Sequence, residues 1–401
     1  MKFKNWILVF FFCLIILTAC GGSGSESGGI IPPYTVNDAV ALGDINGDGV
    51  SDLALVTTYV SGPPPHPGHV AIYLQDPAHP GIFFSPVNYN VGSDPWHIVI
   101  ADLNSDGKLD LIVANTSSND ISVLLHDPAS PGSFLPAVNY ACGTYTNYVA
   151  VGDLNGDGRP DIAAAMTGGV CILFQDPAHP GRYLPAIHLT TPSGTSSVAL
   201  GDLNGDGKCD LVATSSDNIF VFFQDPISLG TFLPAITYVA GPRTSSVVIW
   251  DIDGDGLADL VTVNAGDSSS GANSSISIRL QNPVSHGNFL AATNYPSANG
   301  SRTVAIGDLN GDGRPDLAVA AVVYSSQSSG VVEVFLQNAG STGSFLTPQS
   351  YGAGYTPQSI AIGDLNGDGK PDLASNDGPI VLLQNPSLPG IFADGVIIPL
   401  H

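Results

Sequence analysis

Seven short segments of this 401-residue chain repeat one spacing of oxygen donors. In the first, Asp44, Asn46, Asp48 and Asp52 stand at positions 1, 3, 5 and 9 of a loop, with Gly49 at position 6. A loop coiled on itself turns alternate residues inward. Glycine at position 6 permits a sharp bend, which directs the position 7 carbonyl, here that of Val50, toward the same centre. Carboxylates, an amide and a carbonyl in one compact set suit Ca²⁺, which takes roughly six to eight oxygen ligands. Nitrogen and sulfur donors are missing, which argues against zinc.

The set recurs as Asp102, Asn104, Asp106, Lys108 and Asp110, then as Asp153, Asn155, Asp157, Arg159 and Asp161. The fourth copy is Asp202, Asn204, Asp206, Lys208 and Asp210, and the fifth, the most anionic, is Asp251, Asp253, Asp255, Leu257 and Asp259. Asp308, Asn310, Asp312, Arg314 and Asp316 form the sixth; Asp364, Asn366, Asp368, Lys370 and Asp372 form the seventh. The expectation is up to seven Ca²⁺ ions. An EF-hand begins alike but needs Glu at position 12 and flanking helices, whereas position 12 is Leu55 in the first copy and Val113 in the second. Where position 7 is basic, only its carbonyl is expected to ligate, with the side chain turned outward to screen the carboxylates.

These loops hold most of the charge. All but two of the 35 acids are aspartates, the exceptions being Glu26 and Glu333, and against 11 bases they give a net charge of -24. Two carboxylates about 4 Å apart repel by roughly 4 kcal/mol at an effective dielectric near 20, so each loop without a cation opposes folding. A surface this anionic repels phosphate backbones, and no nucleic-acid partner is expected.

The elements that must hold the loops are strands. The loops recur every 49 to 58 residues, a period that signals an array or a propeller. Each unit shows an apolar run such as Val304 to Ile306, the Asp loop, a second run such as Leu317 to Ala320, a variable Ser/Gly-rich loop, and a third run such as Val331 to Leu336. A turn of the type Gln175-Asp176-Pro177 to Gly181, read as pure turn chemistry, leads to a short Phe/Pro/Tyr segment. That is four strands and no helix. The apolar runs are continuous, as in strands buried on both faces. The chain is 43% hydrophobic, with 47 Gly and 31 Pro, which excludes disorder and a helical bundle. The fold expected for residues 30–401 is all-β: a seven-bladed β-propeller of four-stranded antiparallel blades with a Ca²⁺ loop in each first hairpin. Val396 to Ile398 can complete blade seven, and Ile30 to Tyr34 is a candidate extra latch strand.

Residues 1–19 read as a signal peptide, with Lys2 and Lys4 before an apolar run from Trp6 to Leu17. Leu17-Thr18-Ala19-Cys20 resembles the lipobox of bacterial lipoproteins, which implies cleavage before Cys20, lipid on its sulfur, and a membrane-anchored protein of the bacterial cell envelope. Residues 20–29 form a flexible linker. Cys142, Cys171 and Cys209 show no paired spacing; an exported protein can still pair two of them, but their scattered positions favour three small buried or half-buried residues without a disulfide framework.

Ile-Ala-Ile-Gly-Asp-Leu-Asn-Gly-Asp-Gly-Lys-Pro-Asp-Leu-Ala, from Ile360, resembles the FG-GAP/VCBS repeat family, which includes the integrin α-subunit head. The resemblance covers roughly residues 36 to 400. It implies a seven-bladed propeller with Ca²⁺ between the first two strands of a blade. Integrin heads carry the loop in only some blades, and integrin-like signalling is not implied.

Specificity is expected on the rim opposite the Asp loops, where the variable connections lie. Its longer loops are Tyr59 to His69, Asn264 to Ser275 and Val322 to Ser329. Trp96, Tyr145, Tyr148 and Tyr355 are candidate ligand-stacking residues there. Outside the Asp loops and the leader, the bases are Arg182, Arg243, Arg279 and Arg302. No nucleophile motif or triad is visible and no catalytic residue is assigned. The function expected is a non-catalytic binding or adhesion module for a protein or glycan; the alternative is a polysaccharide lyase-like enzyme using the variable rim.

Overall fold

The computed structural model describes residues 34–60, 65–267, 272–323, 329–376 and 380–398. The expected leader, Cys20 and the expected linker lie outside them, as do parts of the three long rim loops.

The expected blades are present. Seven sheets of four antiparallel strands follow one another along the chain, each a simple up-and-down meander, and no helix occurs among the described residues. In the second blade the strands are Pro95–Ala101, Asp110–Asn115, Asp120–Leu124 and Val138–Ala141. Every residue of Asp110–Asn115 is buried, whereas the outermost strand, Val138–Ala141, is mostly exposed. This gradient explains the continuous apolar runs: inner strands pack against the neighbouring blades on both faces, and only the last strand of each blade faces water.

First strands of successive blades pack side by side around the ring, and that of blade 1 packs on that of blade 7. Among the described residues, ring closure uses no shared sheet. Val40 N–H donates to Ser359 Oγ at 2.8 Å, and Gly363 approaches Leu42 so closely that a Cβ there would lie 3.0 Å from Leu42 Cδ1. Val396–Ile397 completes blade 7, as expected. Of the candidate latch segment, Ile30 to Pro33 lie outside the described residues, and the backbone of Tyr34 opens the innermost strand of blade 1, opposite Val60. Blade junctions repeat an aromatic contact as well. The outer-strand tyrosine meets the ring that follows the next blade's third turn edge to face, as in Tyr89–Phe134, Tyr140–Tyr183, Tyr238–Phe289, Tyr295–Phe345 and Tyr351–Phe392. Such pairs contribute about 0.5–1.5 kcal/mol beyond the area they bury.

The cysteines differ from expectation. Cys142 and Cys171 form a disulfide across the junction of blades 2 and 3. Cys142 follows the outer strand of one blade and Cys171 lies in the third strand of the next, so their linear spacing hides their proximity. Cys209 remains a free, half-buried thiol, pushed up to about 12 by burial and then by the Asp210 carboxylate. Closing a 29-residue loop stabilises by about 3–4 kcal/mol on chain entropy alone. Cys142→Ser should therefore lower the denaturation midpoint under non-reducing conditions, and reductant should shift wild type similarly while leaving the variant unchanged.

Candidate functional site

In each blade the Asp loop joins the first two strands, and register fixes its length. Gly152 pairs with Asp161, Gly201 with Asp210 and Gly363 with Asp372, so eight residues intervene each time. Inside the third loop, Asp153 Oδ1 accepts the N–H groups of Gly156 at 2.7 Å and Asp157 at 3.1 Å, and its Oδ2 accepts that of Gly158 at 2.8 Å. Asn155 Oδ1 accepts from Asp157 N–H and Asp157 Oδ1 from Arg159 N–H, both at 2.9 Å. Side chains at positions 1, 3 and 5 thus turn inward on backbone donors. Gly158 has φ +81 with open space around a notional Cβ, so backbone angle, not crowding, selects glycine at position 6.

Position 9 does something the sequence did not reveal. Its carboxylate is buried in every blade and bridges two backbone donors. Asp161 Oδ2 accepts from Leu154 N–H, at loop position 2, at 3.0 Å; its Oδ1 accepts from Gln175 N–H, two residues beyond the third strand, at 2.8 Å. Asp52, Asp110, Asp210, Asp259, Asp316 and Asp372 make the same pair of bonds. Burial pushes Asp161 up to about 7 and the other six to about 6. The two N–H bonds oppose that rise, and neighbouring loop carboxylates add to it.

In four blades the glutamine that opens the third turn extends the linkage to the preceding blade. Gln175, Gln224, Gln337 and Gln384 each donate Nε2–H to the position 2 carbonyl of the preceding blade's loop: Leu103, Leu154, Ile252 and Leu309, at 2.6 to 2.8 Å. The same turn places a left-handed glycine directly on position 3 of that loop. A Cβ at Gly181 would sit 3.2 Å from Asn104 Cβ, one at Gly230 3.3 Å from Asn155, and one at Gly343 3.1 Å from Asp253. These turns therefore buttress the Asp loops and are not turn chemistry alone. The recurrence of Gln at 75, 175, 224, 281, 337 and 384, with His126 in its place in blade 2, was the available signal.

The fifth loop brings carboxylates closest together: ligand atoms of Asp251, Asp253 and Asp259 lie within 4.8 Å of one another. Burial, then the carboxylates of Asp255 and Asp251, pushes Asp253 upward. Position 7 bases meet position 5 acids in three loops: Arg159 with Asp157 at 3.3 Å, Lys208 with Asp206 at 3.3 Å and Arg314 with Asp312 at 2.5 Å. Lys370 instead reaches the Pro386 carbonyl. An all-oxygen, largely anionic donor set with spare lone pairs fits a hard divalent cation, since each oxygen accepts more than one contact.

At the other end of the same strands, a cavity of about 500 Å³ opens near the ring axis. Trp96 and Tyr145 line it, with His66, Asp94, Arg243 and Arg302. His66 Nδ1 lies 2.7 Å from Asp94 Oδ1. Tyr148 is not on the rim: it is fully buried and stacks on His97 with ring centroids 4.2 Å apart. It begins the innermost strand of its blade, Tyr148–Gly152, and turns into the ring interior. Burial pushes the Tyr148 phenol up and His97 down to about 3, so both are neutral at physiological pH. Tyr355 is 74% exposed and lies outside the cavity lining.

Two outcomes follow from the position 9 clip. Asp161→Asn keeps the shape but presents an amide N–H₂ to a backbone N–H, so it should lower stability by about 1–3 kcal/mol in a urea titration. A carboxyl whose folded pKa exceeds its unfolded value binds more protons when folded. Its stabilisation is complete below the unfolded value of 3.8 and is lost as pH rises through about 6 to 7. In chelator, the melting temperature should fall between pH 5 and pH 7.5.

A family model described as an FG-GAP-like repeat matches residues 44–113, 102–164, 153–213, 202–262, 251–319 and 321–375. No curated protein matches the chain significantly. Solved structures that align with it include rhamnogalacturonan lyase YesW, at 14% identity and TM-score 0.48 over 88% of this chain and 72% of that one. A Bacillus licheniformis rhamnogalacturonan lyase aligns at 14% and 0.48 over 87% and 72%, and the V. cholerae biofilm matrix protein Bap1 at 14% and 0.43 over 92% and 81%. Identity this low carries no statement about ligand or activity. With repeat matches spanning most of its length and a ring of seven blades that each carry the Asp loop, the chain belongs to the FG-GAP-like repeat family.

Proposed function

We propose that this protein is a calcium-stabilised propeller, anchored through a lipidated Cys20 to the bacterial envelope, that acts as a non-catalytic binding module for a protein or glycan. The observation that carries the reading is the sevenfold repetition of an all-oxygen loop whose position 9 carboxylate is buried between two backbone donors. Calcium, when bound, supplies the positive charge that the inward-turned carboxylates lack. The chain's own residues do the rest: positions 1, 3, 5 and 9 offer side-chain oxygens, position 7 its carbonyl, and the neighbouring blade's glutamine and glycine hold the loop in place. Leaving aside the leader and the bases of the Asp loops, few cations remain to serve chemistry on an acidic polymer. A second reading, a carbohydrate-active lyase, draws on the His66–Asp94 pair beside Arg243 and Arg302; it predicts an unsaturated product from a uronic polysaccharide, read by ultraviolet absorbance.

Titration of the chelator-stripped protein with Ca²⁺ in a calorimeter is expected to show binding and a raised melting temperature, each site adding about 3 kcal/mol at a hundredfold excess over its Kd. No heat and an unchanged melt would remove the reading. Cys20→Ser should shift the protein from the membrane fraction to the soluble one.

A further inference from the structure

We propose that the cavity at the mouth of the ring, on the face away from the Asp loops, binds an acidic sugar, with Arg243 meeting the carboxylate and Trp96 and Tyr145 bordering the ring. The inference rests on the binding-module reading and names its ligand class.

Three independent features converge there. The first is charge. Of the four arginines outside the Asp loops, Arg243 and Arg302 line this one cavity, in a chain of net charge -24. A guanidinium offers a planar fork that matches a carboxylate.

The second is backbone conformation. Only six non-glycine residues adopt a left-handed φ among the described residues, and three of them, Asp94 at +47, Tyr145 at +55 and Arg243 at +53, line the cavity. They stand eight residues before the first aspartate of their loops, where blade 6 uses Gly300 at φ +76. Glycine is evidently compatible with the position, yet three blades place an acid, a phenol and a guanidinium there against the backbone preference. A purely structural corner does not select those side chains.

The third is unsatisfied polarity. Trp96 Nε1, Thr116 Oγ1, Asn147 Oδ1 and Arg243 Nη1 are buried and have no hydrogen-bond partner among the described residues. All four belong to residues lining the same cavity. Native proteins rarely leave such groups unpaired unless a water, ion or ligand completes them. Two aromatic side chains and a wall rich in hydroxyls suit a polyol ring, and the arginine selects one that bears a carboxylate. At about 500 Å³ the cavity is of a size for such a ligand, since binding pockets typically span roughly 300–1,000 Å³.

The test uses Ca²⁺-saturated protein and an array of uronate- and sialate-bearing oligosaccharides beside their neutral counterparts, followed by calorimetry on the best binder. Acidic sugars are expected to bind and neutral ones not. Arg243→Gly and Tyr145→Gly each suit the left-handed backbone, so both should melt at or above the wild-type temperature while binding weakens, by about tenfold or more in Arg243→Gly for the loss of one charged hydrogen bond and by a smaller factor in Tyr145→Gly for the loss of an aromatic contact. Binding to no acidic sugar, equal binding to neutral ones, or unchanged affinity in Arg243→Gly would overturn the proposal. Because calcium dependence of the melt is measured on the same samples, that failure is distinguishable from failure of the module reading.

Discussion

Seven buried carboxylates, each caught between an N–H of its own loop and the N–H of the residue that opens the third turn, are the constraint from which the rest of the structure follows. Charge in a protein interior is costly unless hydrogen bonds or a counter-ion offset it. Here both oxygens of Asp161 are engaged by backbone donors, and burial still pushes the group up to about 7. Two neutral N–H groups are therefore not a complete answer to the charge. The remaining demand falls on the centre of the loop, toward which positions 1, 3 and 5 also point.

At four junctions the clip is coupled to the preceding blade's loop. Gln175 accepts its place from Asp161 through its backbone N–H and donates its side chain to Leu103 of the preceding loop. The turn it opens lays Gly181 on Asn104 of that same loop. One loop's conformation thereby sets the position of its own third strand and, through the turn beyond it, braces its neighbour. Gly81 approaches Asn366 in the same sense, with a notional Cβ 3.9 Å away, so the belt passes through the junction of blades 7 and 1. Closure without a shared sheet is intelligible on this basis: loops and first strands carry it.

Much of this was legible in the sequence because the repeat is strict. Blade number, strand order and the loop with its glycine at position 6 all come from spacing and period, which the chain states seven times. What could not be read is what depends on the neighbouring blade. Cys142 and Cys171 meet only because adjacent blades place them face to face. Gln175 looks like part of a turn until Leu103 is seen beside it. Tyr148 resembles Tyr145 in type and lies three positions away, but one begins the innermost strand in the ring interior and the other sits at the mouth. The left-handed residues were hidden for the opposite reason: Asp94, Tyr145 and Arg243 carry no glycine to advertise the conformation.

The two faces of the ring thus obey different rules. On the Asp-loop face, local chemistry and fold agree: glycine occupies nearly every left-handed position of the loops, with Ser105 as the exception, and the position 9 carboxylate has two backbone partners in every blade. At the mouth, residues of high strain and unpaired polar atoms gather in one cavity. Conflict between local preference and fold persists only where surrounding structure enforces it. The braced belt of loops at one end of each first strand supplies that enforcement, which frees the other end of the same strand to hold side chains chosen for something other than stability.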